Sequence, residues 1–304
     1  MIFHKVASPR VRALLVVLLM AAVATVFVAV VTRVYAPVYY RYVAPFVSRD
    51  ITQISHAYLN ISYCNDIDVA QKLDLYTPNS RPFGDTPLLI YVHGGGWRAG
   101  NKQNAITKLY APETVAHGIA FATVGYRLTG TVPYPAQNDD VRCAVSYLVA
   151  HAKQYGYDTT KIGIMGDSAG GHLAAMESLN PTEVVDYRAV IMLYGVSDLW
   201  NQIANYHDRN AVKYLGEKTK QLADKASPYH ANLKNAPPYL IIHGMGDTIV
   251  PANESASFAE ALEQQGVSVT YLPVIGASHA FVGGDYHETF VRSRIMQFLL
   301  DHLY

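Results

Sequence analysis

The sequence predicts an α/β fold, a mostly parallel sheet covered by helices, and three observations predict it. Strand-like and helix-like stretches alternate from about residue 60 to the end of the 304-residue chain. Several of the strand-like runs are apolar at consecutive positions, as strands buried on both faces are. Finally, 50% hydrophobic against 16% charged residues provides enough apolar surface for a core. Lys plus Arg and Asp plus Glu both number 24, so no overall positive field exists to gather nucleic acid, and none is expected as a partner.

Taken in order, the first element is Ala13 to Thr32, uncharged for 20 residues and apolar on every face. That length lets a helix cross a bilayer. Lys5, Arg10 and Arg12 precede it, whereas only Arg33 and Arg41 follow closely, which favours a cytoplasmic N-terminus and an exported remainder. Residues 1–32 are therefore read as a signal anchor holding the rest on the non-cytoplasmic side of a membrane. The alternative is a cleaved signal peptide and a secreted or periplasmic product. Residues 33–60 form a juxtamembrane segment, in which Tyr35, Tyr39, Tyr40 and Tyr42 could sit at the interface, and residues 61–304 form the folded unit. Strands are expected at Lys72–Tyr76, Leu88–His93, Ala120–Tyr126, Ile162–Met165, Ala189–Leu193, Tyr239–His243 and Ser268–Pro273. Helices are expected at Asp139–Tyr155, Ala169–Leu179, Ala252–Gln265 and His287–His302, with helix-start residues nearby. Residues 198–238 carry no strong strand and read as an insertion. Cys64 and Cys143 fit neither a disulfide scaffold nor a zinc or redox spacing, and are read as packed or free thiols.

The chemistry sits at strand ends. Gly166-Asp167-Ser168-Ala169-Gly170-Gly171 follows the apolar run KIGIM and opens a helical stretch. Small neighbours allow the tight strand-to-helix turn that lifts a serine Oγ clear, while a helix N-terminus favours negative charge behind it. Without that context the segment would be an ordinary glycine-rich turn with a capping serine. Serine is a weak nucleophile, so a base and an orienting acid are required. Asp247, in the loop after YLIIHG, and His279, in the loop after VTYLPV, lie at the same predicted sheet edge. Asp198 and Asp285 are rival acids and His287 a rival base, but Asp247 lies on the strand just before the histidine loop. His93-Gly94-Gly95-Gly96-Trp97 ends another strand, and its glycines let backbone N–H groups converge on one spot. Gly95 and Gly96, with the N–H of Ala169, are the expected oxyanion donors; Gly94 is a weaker choice and His93 is read as structural. Trp97 and Trp200, with Tyr206 and Tyr214, could line a substrate pocket or simply pack. Histidines and acids show no HExxH or comparable spacing, so no metal or other cofactor is expected.

HGGGW, VGYRL at 124–128, PYPAQ at 133–137, GDSAGGHLAA, HGMGDTIVP and GASHAF, together with KLDLYTP at 72–78, resemble the α/β-hydrolase esterases of the hormone-sensitive-lipase-like and feruloyl-esterase-like (BD-FAE) groups. The resemblance runs from about Ser62 to Tyr304. It implies an eight-stranded, mostly parallel sheet and a serine carboxylesterase acting on a small ester. Ser168 would be its nucleophile, Asp247 its orienting acid, His279 its base, and Gly95, Gly96 and Ala169 its oxyanion donors. An amidase, formamidase or peptidase using the same three side chains remains an alternative, as does an inactive membrane-tethered binding protein.

Overall fold

The computed structural model describes residues 51, 55–64, 68–79, 86–180, 185–281 and 285–304, with the side chains of 285–289 excepted. The hydrophobic run 13–32 and its neighbouring tyrosines lie outside the described residues; among the described ones, no helix is long and apolar enough to cross a membrane. Eight strands form one sheet: β1 (Ser55–Ser62), β2 (Lys72–Pro78), β3 (Thr86–Val92), β4 (Ala120–Val124), β5 (Tyr157–Asp167), β6 (Tyr187–Leu193), β7 (Tyr239–Gly244) and β8 (Val269–Val274). Their spatial order is β1-β2-β4-β3-β5-β6-β7-β8. The β1–β2 and β2–β4 pairs are antiparallel and all the others parallel.

Apolar pattern and position agree. Central β3 is buried at every residue, whereas edge strand β1 is exposed along most of its length. That exposure explains a correction: SHAYLNIS lacks a buried-strand signature, yet it pairs with β2, so the sheet begins at Ser55 inside the stretch assigned to 33–60. Because β1 is antiparallel to β2, Ser55 lies opposite Pro78, at the sheet edge remote from the ends of β3, β5 and β7.

Helices cover both faces. Helix α1 (Ala105–Ala116) precedes β4, and α2 (Ala136–Ala150) and the single turn α3 (Ala152–Tyr155) precede β5. Helix α4 (Ala169–Leu179) follows β5, α8 (Ala252–Gln264) links β7 to β8, and α9 (Asp285–Leu303) ends the chain. The insertion folds as three short helices, α5 (Leu199–Asn205), α6 (Arg209–Leu215) and α7 (Lys220–Lys225). One core joins α2, α4, α8 and the insertion to one face of the sheet, and a second packs α1 and α9 on the other. Each fully buried Leu, Ile or Phe there contributes roughly 1.5–3 kcal/mol. Helix α1 had no counterpart in the sequence reading: Pro112 lies inside it, and Asn104 caps it by accepting from Thr107 N at 2.8 Å.

The cysteines correct a second expectation. Cys64, just past β1, and Cys143, on α2, are joined as a disulfide with Cα atoms 5.8 Å apart. Their 79-residue separation hides this, because β1 and α2 meet only once the sheet is assembled.

Candidate active site

Strand β5 and helix α4 form the serine turn. An added Cβ would lie 2.2 Å from Gly170 O at Gly166 and 2.1 Å from Val92 O at Gly170, so β5, the turn and β3 approach each other at distances only glycine permits. Ser168 itself has φ +51°, ψ −120°, a strained conformation for a residue with a side chain. The strain aims Oγ into a cavity of about 370 Å³ at the C-terminal edge of the parallel strands.

His279 and Asp247 converge there, from the loops after β8 and β7. Asp247 Oδ2 lies 2.6 Å from His279 Nδ1, and His279 Nε2 lies 3.1 Å from Ser168 Oγ. An ionised carboxylate only accepts, so Nδ1 carries the imidazole proton and Nε2 is left to accept from the serine hydroxyl. Asp247 also accepts from His243 Nε2 on Oδ2, and from the N–H groups of Ile249 and Val250 on Oδ1, at 2.8–3.1 Å. Burial pushes this carboxyl up, but the hydrogen bonds from His243, His279 and Ile249 outweigh it and hold the acid well below the usual carboxylate range. The Tyr194 ring, at the end of β6, meets the His279 imidazole edge-on with centroids 4.7 Å apart. Of the rivals, Asp198 caps α5 by accepting from Asn201 N; the side chains of Asp285 and His287 lie outside those described.

The glycine loop closes the other side. Gly95 (φ +116°), Gly96 (φ +60°) and Ala169 all line the cavity. Gly94 does not serve, because its N–H donates to Asp167 Oδ1 at 2.8 Å. Tyr91 donates to the same oxygen at 2.6 Å and itself accepts from Asn104, so α1, β3 and the serine turn are tied together. Burial raises the Asp167 carboxyl against these donors. His93 is buried beneath the loop, donating from Nδ1 to Gly94 O and stacked on Tyr126; burial lowers it to about 4.

Of the aromatics expected at the pocket, Trp97 lines the cavity and the others do not. Trp97 touches the cavity, but its indole is buried, stacked on Tyr214 and donating to His172 Nδ1 at 3.3 Å. Trp200 packs against the core from α5 and is not among the lining residues, nor are Tyr206 and Tyr214. Beside Trp97, the walls are Tyr194, Val196, Ile249 and Val250 on the apolar side, and Arg98, Asp208 and Asn210 on the polar side. Asp208 and Asn210 come from the insertion, whose sequence gave no hint of its direction. Asp167 and His243 were visible within the quoted motifs, yet only their contacts single them out. Among the described residues, no group of three or more His, Cys, Asp or Glu side chains could hold a metal ion.

Three side chains that can serve as nucleophile, base and acid thus meet beside a glycine loop, and the chain as a whole is similar to known proteins. The BD-FAE family profile matches residues 73–262. Esterase LipC of Mycobacterium tuberculosis is 30% identical over 236 residues, covering 70% of this chain and 58% of its own. The probable carboxylic ester hydrolase LipM of the same organism is 30% identical over 245 residues, covering 72% of this chain and 57% of its own. The chain thus spans little more than half the length of these curated relatives. Among solved structures, carboxyl esterase 2 from the mycorrhizal fungus Tuber melanosporum matches with a TM-score of 0.70 at 25% identity, over 85% of this chain and 89% of that one. The fold of this chain is thus the α/β-hydrolase fold, with its eight-stranded, mostly parallel sheet.

Proposed function

Because the chain belongs to the BD-FAE family, we propose that it is a serine carboxylesterase that hydrolyses small esters through an acyl-enzyme. The observation that carries this reading is the unbroken hydrogen-bonded path from Ser168 Oγ through His279 to Asp247, at 3.1 and 2.6 Å, beside the Gly95–Gly96 loop.

As Ser168 Oγ attacks the ester carbonyl carbon, His279 Nε2 takes its proton, and Asp247 stabilises the imidazolium without itself being protonated. The carbonyl oxygen, now negative, accepts from the N–H groups of Gly95, Gly96 and Ala169; each such donor is worth roughly 3–4 kcal/mol in the transition state. The carbon–oxygen bond to the alcohol breaks and His279 returns the proton to the leaving oxygen. Water then repeats the sequence: it gives a proton to His279 while attacking the acyl carbon, Ser168 departs with the proton His279 returns, and the carboxylic acid is released. A cavity of about 370 Å³ with one apolar side suits a short acyl group.

The test is Ser168→Ala with short-chain p-nitrophenyl esters. Hydrolysis is expected to fall to background with the melting temperature nearly unchanged, and a fluorophosphonate probe is expected to label the wild type at Ser168 alone. Undiminished turnover by the variant would remove the assignment.

For location, the favoured reading is an anchored enzyme with residues 61–304 on the non-cytoplasmic side. The uncharged run 13–32, the basic residues before it and a disulfide suited to an oxidising compartment support it. N-terminal sequencing of the membrane fraction should return residue 1 or 2; a start beyond residue 32 would favour the secreted or periplasmic form.

A further inference from the structure

We propose that His243 is a positioning residue that locks the Asp247 carboxylate in the orientation His279 needs, and that Ser255 fixes the tautomer in which His243 does so. The proposal rests on the triad reading above.

His243 lies one residue before the end of β7, is fully buried, and does not line the cavity, so it touches no substrate. Its Nε2 faces two oxygens, the Val250 carbonyl at 2.8 Å and Asp247 Oδ2 at 3.1 Å. Both only accept, so an unprotonated Nε2 would set its lone pair against theirs; Nε2 therefore carries a proton. Nδ1 lies 2.6 Å from the hydroxyl of Ser255 on α8, and in the neutral ring it accepts from that hydroxyl. Ser255 is itself fully buried. A hydroxyl can donate where a carbonyl cannot, and this choice of partner selects the tautomer.

Two imidazole N–H groups thus meet on Asp247 Oδ2, while two backbone N–H groups hold Oδ1. All four acceptor positions of the carboxylate are filled. Rotation about its carbon–carbon bond would break several of these bonds together, and it would carry Oδ2 away from His279. The Val250 residue closes the brace: its N–H holds the acid and its carbonyl holds His243. The other titratable groups facing this pair are Asp167, which acts on His279, and Tyr194, which packs on His279 and is near Asp247. Both are left intact by the variants below.

A residue that merely fills space could be replaced by an apolar one of similar size without touching the chemistry. His243→Leu is instead expected to lower kcat about 100-fold with KM within about twofold, the cost of a misplaced catalytic group. The acid limb of its kcat/KM profile should move to higher pH, since Asp247, with one donor fewer, attracts the His279 proton more strongly. His243→Gln, which can present an amide N–H near the Nε2 position, should recover most of the loss. Ser255→Ala, which frees the tautomer but keeps the ring, should cost about 3- to 10-fold. All are measured with p-nitrophenyl acetate on full-length protein, alongside circular dichroism and melting. A folded His243→Leu with wild-type kcat and pH profile, or one altered only in KM, overturns the proposal. Should that variant not fold, a folded Ser255→Ala with unaltered kcat and pH profile overturns it equally. Fluorophosphonate labelling keeps the two readings apart: no labelling of wild-type Ser168 defeats the triad itself, whereas labelling of wild type and His243→Leu at equal rates defeats only the positioning role.

Discussion

Asp167 lines the cavity and Asp247 lies behind His279, each at or just beyond the end of a parallel strand, and their acidities are driven in opposite directions. Asp167, beside the nucleophile, accepts from one tyrosine hydroxyl and one backbone N–H on a single oxygen, and burial keeps its carboxyl raised. Asp247 is buried too, but two imidazoles and two backbone N–H groups overcome that burial and hold its charge. Proximity to the serine therefore does not decide which carboxylate keeps its charge. The number and kind of donors gathered on the carboxylate do, and the loop after β7 is built to gather them.

The largest effect that could break this contrast is Asp247→Asn. With a neutral amide unable to stabilise the imidazolium or hold its tautomer, kcat should drop by roughly four orders of magnitude in ester hydrolysis. A change at the glycine loop ranks second. In Gly95→Ala the new Cβ would fall 2.1 Å from Ala99 O at φ +116°, and moving the donors should lower kcat about 10²- to 10³-fold, read with the same ester. Asp167→Asn should come next, at about 10-fold or less, because the amide oxygen still accepts from Tyr91 and Gly94. If it matched Asp247→Asn, the contrast would be lost.

The smallest effect sharpens the point at a third buried acid. Glu254, at the start of α8, accepts from Asn201, Gln202 and Ser197 N, yet burial pushes it up to about 7. A carboxyl raised in the folded state contributes stability that is fully present below its unfolded value near 4.5 and is lost as pH rises through 7. The contribution is on the order of 3 kcal/mol. Thermal melts of Glu254→Gln against wild type between pH 4.5 and 8 should show this slope flattened in the variant. Asp247 has the opposite sign: its share is present above about 3.8 and is lost as pH falls below it.

The parts of this arrangement legible in the sequence are those written as local chain geometry. A glycine-flanked serine between an apolar run and a helix, and an acid and a histidine just past two further apolar runs, can be located because a parallel sheet sends all such loops to one edge. Even the refusal of Gly94 fits a local rule, since Asp167 sits at the next strand's end to take its N–H. What could not be read depends on direction or on distant partners. Trp97 and Trp200 are aromatic neighbours of the right motifs, but residue type does not say that the first borders the cavity and the second packs on the core. Edge strand β1 is too exposed to carry a hydrophobic signature, and α1 carries a helix-disfavouring Pro112 inside it. The Cys64–Cys143 bond joins two elements that only the finished sheet brings together.

Strand β1 enters the sheet at Ser55, on the rim facing away from Ser168. Any support fastened ahead of that point, natural or engineered, pulls on the floor of the molecule and leaves its entrance clear. On the proposed function, immobilising the protein through the rim at Ser55 should keep diffusing esters within reach, whereas coupling through the loops after β7 or β8 would obstruct them.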